Sequence, residues 1–353
     1  MPFFAAIYVA KNRQDSIFML KIICVCALLD TAAGVVEFRA QHRIFLDVFP
    51  KSWLDSIIES NPVMGGFLDA KSSFRDGMFR SSSVYLTPLS FGEFEIMVIP
   101  IALFFAVHRE KLSERCLGWA VAIGGIVGIV VSGSRGGYVG FLTSMATFVG
   151  AWAVRKAQTS KASLAPAFVG LAGALAFTAV FGMIMFWGRA HNLVLGGGAE
   201  AASTEGRWVQ WAAALPLIKS NPITGHGFAT GGGDIGMSID SYIISLLLET
   251  GVPGFVFFTG ISCLPVWYGI RSYIYDLKES GALAGALACS FVAFAMYRIV
   301  LSQRENNMLA FLLLGLVVVS LWEYKNKYAE EKQSRAPQRR PYSGSERGEL
   351  RTT

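Results

Sequence analysis

The chain has 353 residues, of which 53% are hydrophobic and only 16% charged, with a net charge of +6 and a mean hydropathy of +0.46. Soluble domains carry about a quarter charged residues, so this balance excludes an ordinary water-soluble globule. The deficit is uneven: Leu117–Val131 and Ala282–Tyr297 hold no charged side chain at all, and such runs approach the roughly 20 apolar residues that cross a bilayer core.

In chain order, Met1–Ala10 is too short for a cleaved signal, and no small-residue cleavage site follows the next apolar run, so the first span reads as a retained anchor. Eight candidate spans fall at roughly 16–38, 88–107, 117–133, 136–154, 164–187, 242–270, 282–300 and 307–322. A tight Ser132–Gly137 hairpin joins the third and fourth, and Gly251-Val-Pro253-Gly254 is placed to break the sixth. The expected architecture is all-α: a polytopic helical membrane protein forming one membrane domain over 1–322. Its large outer loops are 39–87 and 188–241, and a disordered basic tail covers 323–353.

Orientation follows from the basic residues. With the N-terminus inside, the short inner segments 1–15, 108–116, 155–163, 271–281 and 323–353 hold 2, 3, 3, 2 and 8 Lys+Arg. All point one way, so both termini are expected in the cytoplasm. The basic tail reads as an orientation signal and not as a nucleic-acid site. The cysteines Cys24, Cys26, Cys116, Cys263 and Cys289 lie in or beside spans and read as small buried hydrophobes. His42, His108, His191 and His226 form no metal-binding pattern.

Within 188–241, the segment Thr204–Lys219 has helical periodicity. Trp208, Trp211, Leu215 and Ile218 recur at spacings of three and four, Glu205 lies in the first turn and Lys219 in the last. It reads as an amphipathic helix on the outer membrane face.

Arg80, Arg135, Arg207, Arg298 and Arg304 all map to the outer side. Arg135 stands out. It sits in Ser132-Gly-Ser-Arg-Gly-Gly137 at the start of a span, where glycines admit a ligand and helical N–H groups converge. That combination suits a phosphate, although an interfacial arginine anchoring a helix end accounts for it equally well. Arg298 lies near the outer end of an apolar run, with structural and ligand-binding readings evenly balanced, and Arg304 has Glu305 beside it as a ready partner. Glu93 and Glu95 lie deep enough to need partners, for which the outer arginines are available, and Asp240 and Glu249 bracket the start of the sixth span.

Four segments together resemble the bacterial O-antigen ligase and O-antigen polymerase superfamily. They are Ala33-Gly-Val-Val-Glu37, Arg80–Gly92, Ser132–Gly137, and the stretch containing Gly206–Trp211, Asn221–Gly227 and Ser241–Gly251. The resemblance covers roughly residues 30 to 320, and relative to longer members the chain starts near an internal span. It implies a glycosyltransferase of C-type membrane architecture. Such enzymes take a glycan from undecaprenyl pyrophosphate at the periplasmic face of the bacterial inner membrane and pass it to an acceptor hydroxyl. Arg80, Arg135 and Arg207 match the family's pyrophosphate-holding arginines, and Arg298 joins them as a candidate. The implied displacement needs neither metal nor nucleotide cofactor. Its partners would be the lipid-linked oligosaccharide and membrane lipid, with a flippase and a chain-length regulator beside it. Asp240 is the first candidate for the base and Glu249 the second.

One departure bears on the reaction. Ligases of the family usually carry a His-Asn pair before the sixth-span motif, where this chain has Ile239-Asp240. The departure favours a polymerase over a ligase acting on lipid A–core. A non-enzymatic lipid transporter would predict internal repeats and polar spans, which the sequence lacks, and an inactive lipid-glycan-binding scaffold is the remaining alternative.

Overall fold

The computed structural model describes residues 1–60, 73–75, 78–159, 201–228, 239–299 and 304–335. Among the described residues the chain is all-α apart from one two-residue β-ladder. Its helices are α1 (Pro2–Val9), α2 (Arg13–Ala40), α3 (Phe45–Val48), α4 (Lys51–Ser60), α5 (Pro88–His108), α6 (Leu112–Ser132), α7 (Arg135–Thr159), α8 (Ala201–Ser220), α9 (Tyr242–Tyr275), α10 (Glu279–Arg298) and α11 (Asn307–Arg335). Strands β1 (Phe74–Arg75) and β2 (Met78–Phe79) pair antiparallel.

Among the described residues, α2, α5, α6, α7, α9 and α10 are long and apolar enough to cross a membrane. They match six of the expected spans. The apolar part of α11, Asn307–Glu323, is shorter, and the expected span 164–187 lies outside the described residues. Helix α11 runs on to Arg335, well into the segment expected to be disordered. Its Tyr-Ala-Glu-Glu-Lys-Gln stretch is rich in strong helix formers, which extend a helix already nucleated by packing.

Local chemistry sets the helix starts. Asn12 caps α2 by accepting from Asp15 N at 2.9 Å, and Asp15 accepts in turn from Asn12 N at 3.3 Å. Thr87 caps α5 through Ser90 N at 3.2 Å, with Pro88 in the first turn.

Helix α5 is the axis of the bundle, almost wholly buried, and α6, α10, α7 and α2 pack around it. The approach of α6 is very close: a Cβ on Gly118 would lie 2.4 Å from Ala106 N. Small residues of this kind let helices associate where lipid supplies no hydrophobic drive. Outward faces are apolar instead, with Phe18, Leu29, Ile123, Phe257 and Trp267 all largely exposed, a surface that lipid satisfies and water does not.

The two ends of the bundle differ chemically. At one end Arg109 binds Glu114 at 2.6 Å and also Glu279, Arg13 reaches Glu279 at 3.2 Å, Lys21 pairs with Glu114, and Arg13 N donates to Glu323 at 2.6 Å. The other end gathers the chain after α2, the starts of α5, α7 and α9, and the end of α10.

Candidate functional site

At that second end, the segments that carry the family resemblance lock together. Glu37, near the end of α2, is 1% exposed. One of its oxygens accepts from Ser81 Oγ at 2.5 Å, Ser82 N at 2.7 Å and Ser83 N at 2.7 Å. Ser83 Oγ donates to the Asp30 carbonyl at 2.8 Å and contacts its carboxylate as well. Gly34 lies against the ring of Phe91. Arg43 is also buried here, and its Nε donates to Ser73 Oγ at 2.7 Å. Burial pushes the Arg43 guanidinium down from the usual arginine range, and the charge of Glu37 opposes that shift.

The same short segment closes over the turn before α7. Ser81 N donates to Val131 O at 3.0 Å, and Arg80 Nε donates to Ser132 O at 3.0 Å. These bonds satisfy carbonyls left open at the end of α6. The Arg80 side chain lies over Gly133, whose φ of +57° gives the left-handed residue that ends the helix. Arg135 begins α7 two residues later, half-buried. Ser134 Oγ accepts from Gly137 N at 3.3 Å and is bonded to the Tyr297 hydroxyl of α10. Arg80 is therefore packed against the turn that leads into Arg135, so two of the sequence-assigned arginines belong to neighbouring segments.

Next along α10, Arg298 is 2% exposed and its partner Glu93 is fully buried. Arg298 Nη2 lies 2.8 Å and 2.7 Å from the two Glu93 oxygens, and Asn306 Nδ2 reaches one of them at 2.9 Å. The guanidinium also sits over Tyr242, 5.2 Å from the ring centroid. Glu93 thus takes an arginine, as the depth of the residue requires. Among the described residues Glu95 does not: its bond is from Thr31 Oγ1 at 2.8 Å.

Arg304 departs from the sequence-based pairing with Glu305. Its Nη2 lies 2.7 Å and 2.5 Å from the two oxygens of Glu249, and its guanidinium sits 4.5 Å from the ring centroid of Phe228. Adjacency in sequence lost to helix geometry: Glu249 is 6% exposed and needs a cation in reach. The second candidate base is consequently held in an ion pair.

Helix α9 breaks at Gly251, where φ is +69° and ψ −170°, at the expected Gly-Val-Pro-Gly sequence. The reason is a docking contact. The Asn221–Gly227 loop bonds this stretch through His226 N to Leu248 O at 2.7 Å, Gly227 N to Glu249 O at 3.1 Å, and Val252 N to Pro222 O at 2.7 Å. A Cβ on Gly251 would lie 2.5 Å from Ile223 O, and one on Gly225 would lie 2.5 Å from the Glu249 carbonyl carbon. Only glycine permits so close a backbone approach.

Helix α8 covers the expected Thr204–Lys219, but its apolar face divides. Ala214 and Ile218 pack on Ile239, Ile244 and Leu248, while Trp208, Trp211 and Leu215 remain exposed. Ile218, four residues after Ala214, thus belongs to the protein-facing row; it lies about 80° round the helix from Trp208 but only about 20° from Trp211, at the boundary between the two faces. The buried Gln210 shares that row and pairs with Asp240: its Nε2 donates to Asp240 Oδ2 at 3.3 Å, and its Oε1 accepts from Asp240 N at 3.2 Å. Asp240 itself is exposed. Arg207 is one turn from Gln210, with its Nε buried and without a hydrogen bond among the described residues. Reading the sequence by segments did not single out the roles of Glu37, Gln210, Tyr242 and Asn306. The burial of a polar residue inside an apolar run was the available signal for Glu37 alone.

Residues 119–259 match the family model described as O-antigen ligase. That range includes the Ser132–Gly137 turn, Arg207, Asp240 and the break at Gly251. No curated protein matches the chain. Over residues 119–259, the family that this membrane protein resembles is the O-antigen ligase and polymerase superfamily.

Proposed function

We propose that the chain is a polysaccharide polymerase that transfers glycan from undecaprenyl pyrophosphate to an acceptor sugar hydroxyl at the outer, periplasmic face. The observation that carries this reading is the closure of Arg80 over the turn that leads into Arg135 and the N-terminus of α7. Two guanidinium groups and a positive helix end suit a pyrophosphate. The family match supports glycan transfer of the ligase or polymerase type.

The acceptor hydroxyl oxygen attacks the anomeric carbon. The bond from that carbon to the pyrophosphate oxygen breaks, and its electron pair leaves with the lipid pyrophosphate. Arg80, Arg135 and Arg207 offset the charge that builds on the leaving group. Asp240 takes the hydroxyl proton, since Glu249 is committed to Arg304 while Asp240 is exposed and oriented by Gln210. The exposed Trp208, Trp211 and Leu215 seat α8 on the membrane surface, beside the lipid donor. Membrane domain 1–322 then works with both termini in the cytoplasm.

Purified chain supplied with lipid-linked repeat units as both donor and acceptor is expected to make a ladder of lengthened lipid-linked glycans. The ladder is expected without added lipid A–core. A requirement for lipid A–core, with a single transfer onto it, would identify a ligase instead.

A further inference from the structure

We propose that Glu37 is a positioning residue for Arg80, acting through the Ser81–Ser83 turn; this rests on the assignment of Arg80 to the donor pyrophosphate. Ser83 adopts φ +50°, a left-handed conformation that a non-glycine residue holds only when its surroundings over-determine it. Here they do. Ser83 N and Ser82 N both donate to Glu37, Ser81 Oγ adds a third bond to the same oxygen, and Ser83 Oγ is held by Asp30. Arg80 is bonded covalently to the first residue of this turn, its N–H donates to Ser73 O at 2.8 Å, and its Nε donates to Ser132 O.

A buried carboxylate accepting three hydrogen bonds does more than fill space in α2. Apolar packing of α2 on α6 would be served as well by leucine. What the charge at Glu37 fixes is the backbone leaving Arg80, and through it the angle at which the guanidinium crosses Gly133. Preorganising a cation in this way raises affinity by removing the cost of ordering it when the anion binds. Glu37 touches no ligand in this scheme; its effect reaches the donor only by way of Arg80.

The test is a double-mutant cycle on full-length, detergent-purified protein, read as equilibrium binding of undecaprenyl pyrophosphate. Glu37→Gln keeps the size of the side chain and is the primary variant; Glu37→Ala is the second. Each is compared with Arg80→Ala and with the corresponding double variant, and all are checked for a monodisperse peak and an unfolding midpoint. Loss of a charged hydrogen-bond acceptor is expected to weaken binding about tenfold. In the Arg80→Ala background the same change at Glu37 is expected to have no further effect. Equal losses with and without Arg80, or a loss that only tracks the unfolding midpoint, would overturn the positioning role while leaving the proposed activity intact. Wild-type protein that does not bind the probe would overturn both.

Discussion

Replacing Asp240 with Asn is expected to lower glycan transfer about 10²–10⁴-fold, the range typical of a lost general base. The substitution is conservative by design. Asn keeps a carbonyl oxygen for Gln210 Nε2, and the bond from the Asp240 backbone N to Gln210 Oε1 does not involve the side chain. Packing of Ala214 and Ile218 on Ile239, Ile244 and Leu248 is untouched. Binding of lipid pyrophosphate should therefore survive while turnover falls, so the loss appears in kcat and not in donor affinity. Glu249→Gln serves as the comparison. Glu249 is held by Arg304, so its loss should lower the unfolding midpoint along with activity. A full rate in Asp240→Asn would remove this residue from the chemistry and return attention to Glu249.

The second large effect concerns stability. Arg298→Ala leaves Glu93 fully buried with, among the described residues, Asn306 as its remaining donor. Breaking one side of a buried ion pair costs about 3–5 kcal/mol, enough to abolish folding of a marginal protein. Thermal or denaturant unfolding in detergent should show a large fall in midpoint for Arg298→Ala. A substantial recovery is expected in Arg298→Met combined with Glu93→Gln, which removes both charges and keeps the bond from Asn306. The measurement bears on the site as well. Wild-type stability in Arg298→Ala would mean that Glu93 does not need this arginine, and would favour the arginine as a ligand group.

These two cases also mark where sequence reading reached and where it stopped. Hydropathy placed α2, α5, α6, α7, α9 and α10 because a membrane span must be long, apolar and internally hydrogen-bonded, all of which are local properties. The break in α9 was legible because Gly251-Val-Pro253-Gly254 removes both helix propensity and a backbone donor. The turn at Ser132–Gly137 was legible for the same kind of reason. Partnerships were not. Glu93 and Arg298 are 205 positions apart, and whether they meet depends on how α5 and α10 are rotated against each other. Arg304 passed over its neighbour Glu305 for Glu249, 55 positions away, because adjacent side chains on a chain point in different directions. Ile218 fell on the wrong side of α8 since a three-and-four spacing covers a broad arc and does not say which edge meets protein and which meets lipid. Glu37 was visible as the last residue of a motif, but its grip on Ser81–Ser83 required the 80–83 segment to fold back over α2.

The proposal that this chain polymerises lipid-linked glycan stands on the turn shared by Arg80 and Arg135. It is tested most directly by comparing wild-type protein with Arg135→Ala, purified in detergent and supplied with lipid-linked repeat units, and resolving the products by length. Wild-type protein is expected to build a ladder. Arg135→Ala, folded by its unfolding midpoint, is expected to lose about 10²–10³-fold in rate, as when one charge-stabilising donor is removed. An unchanged ladder from Arg135→Ala, or no lengthened product from the wild type, would contradict the account.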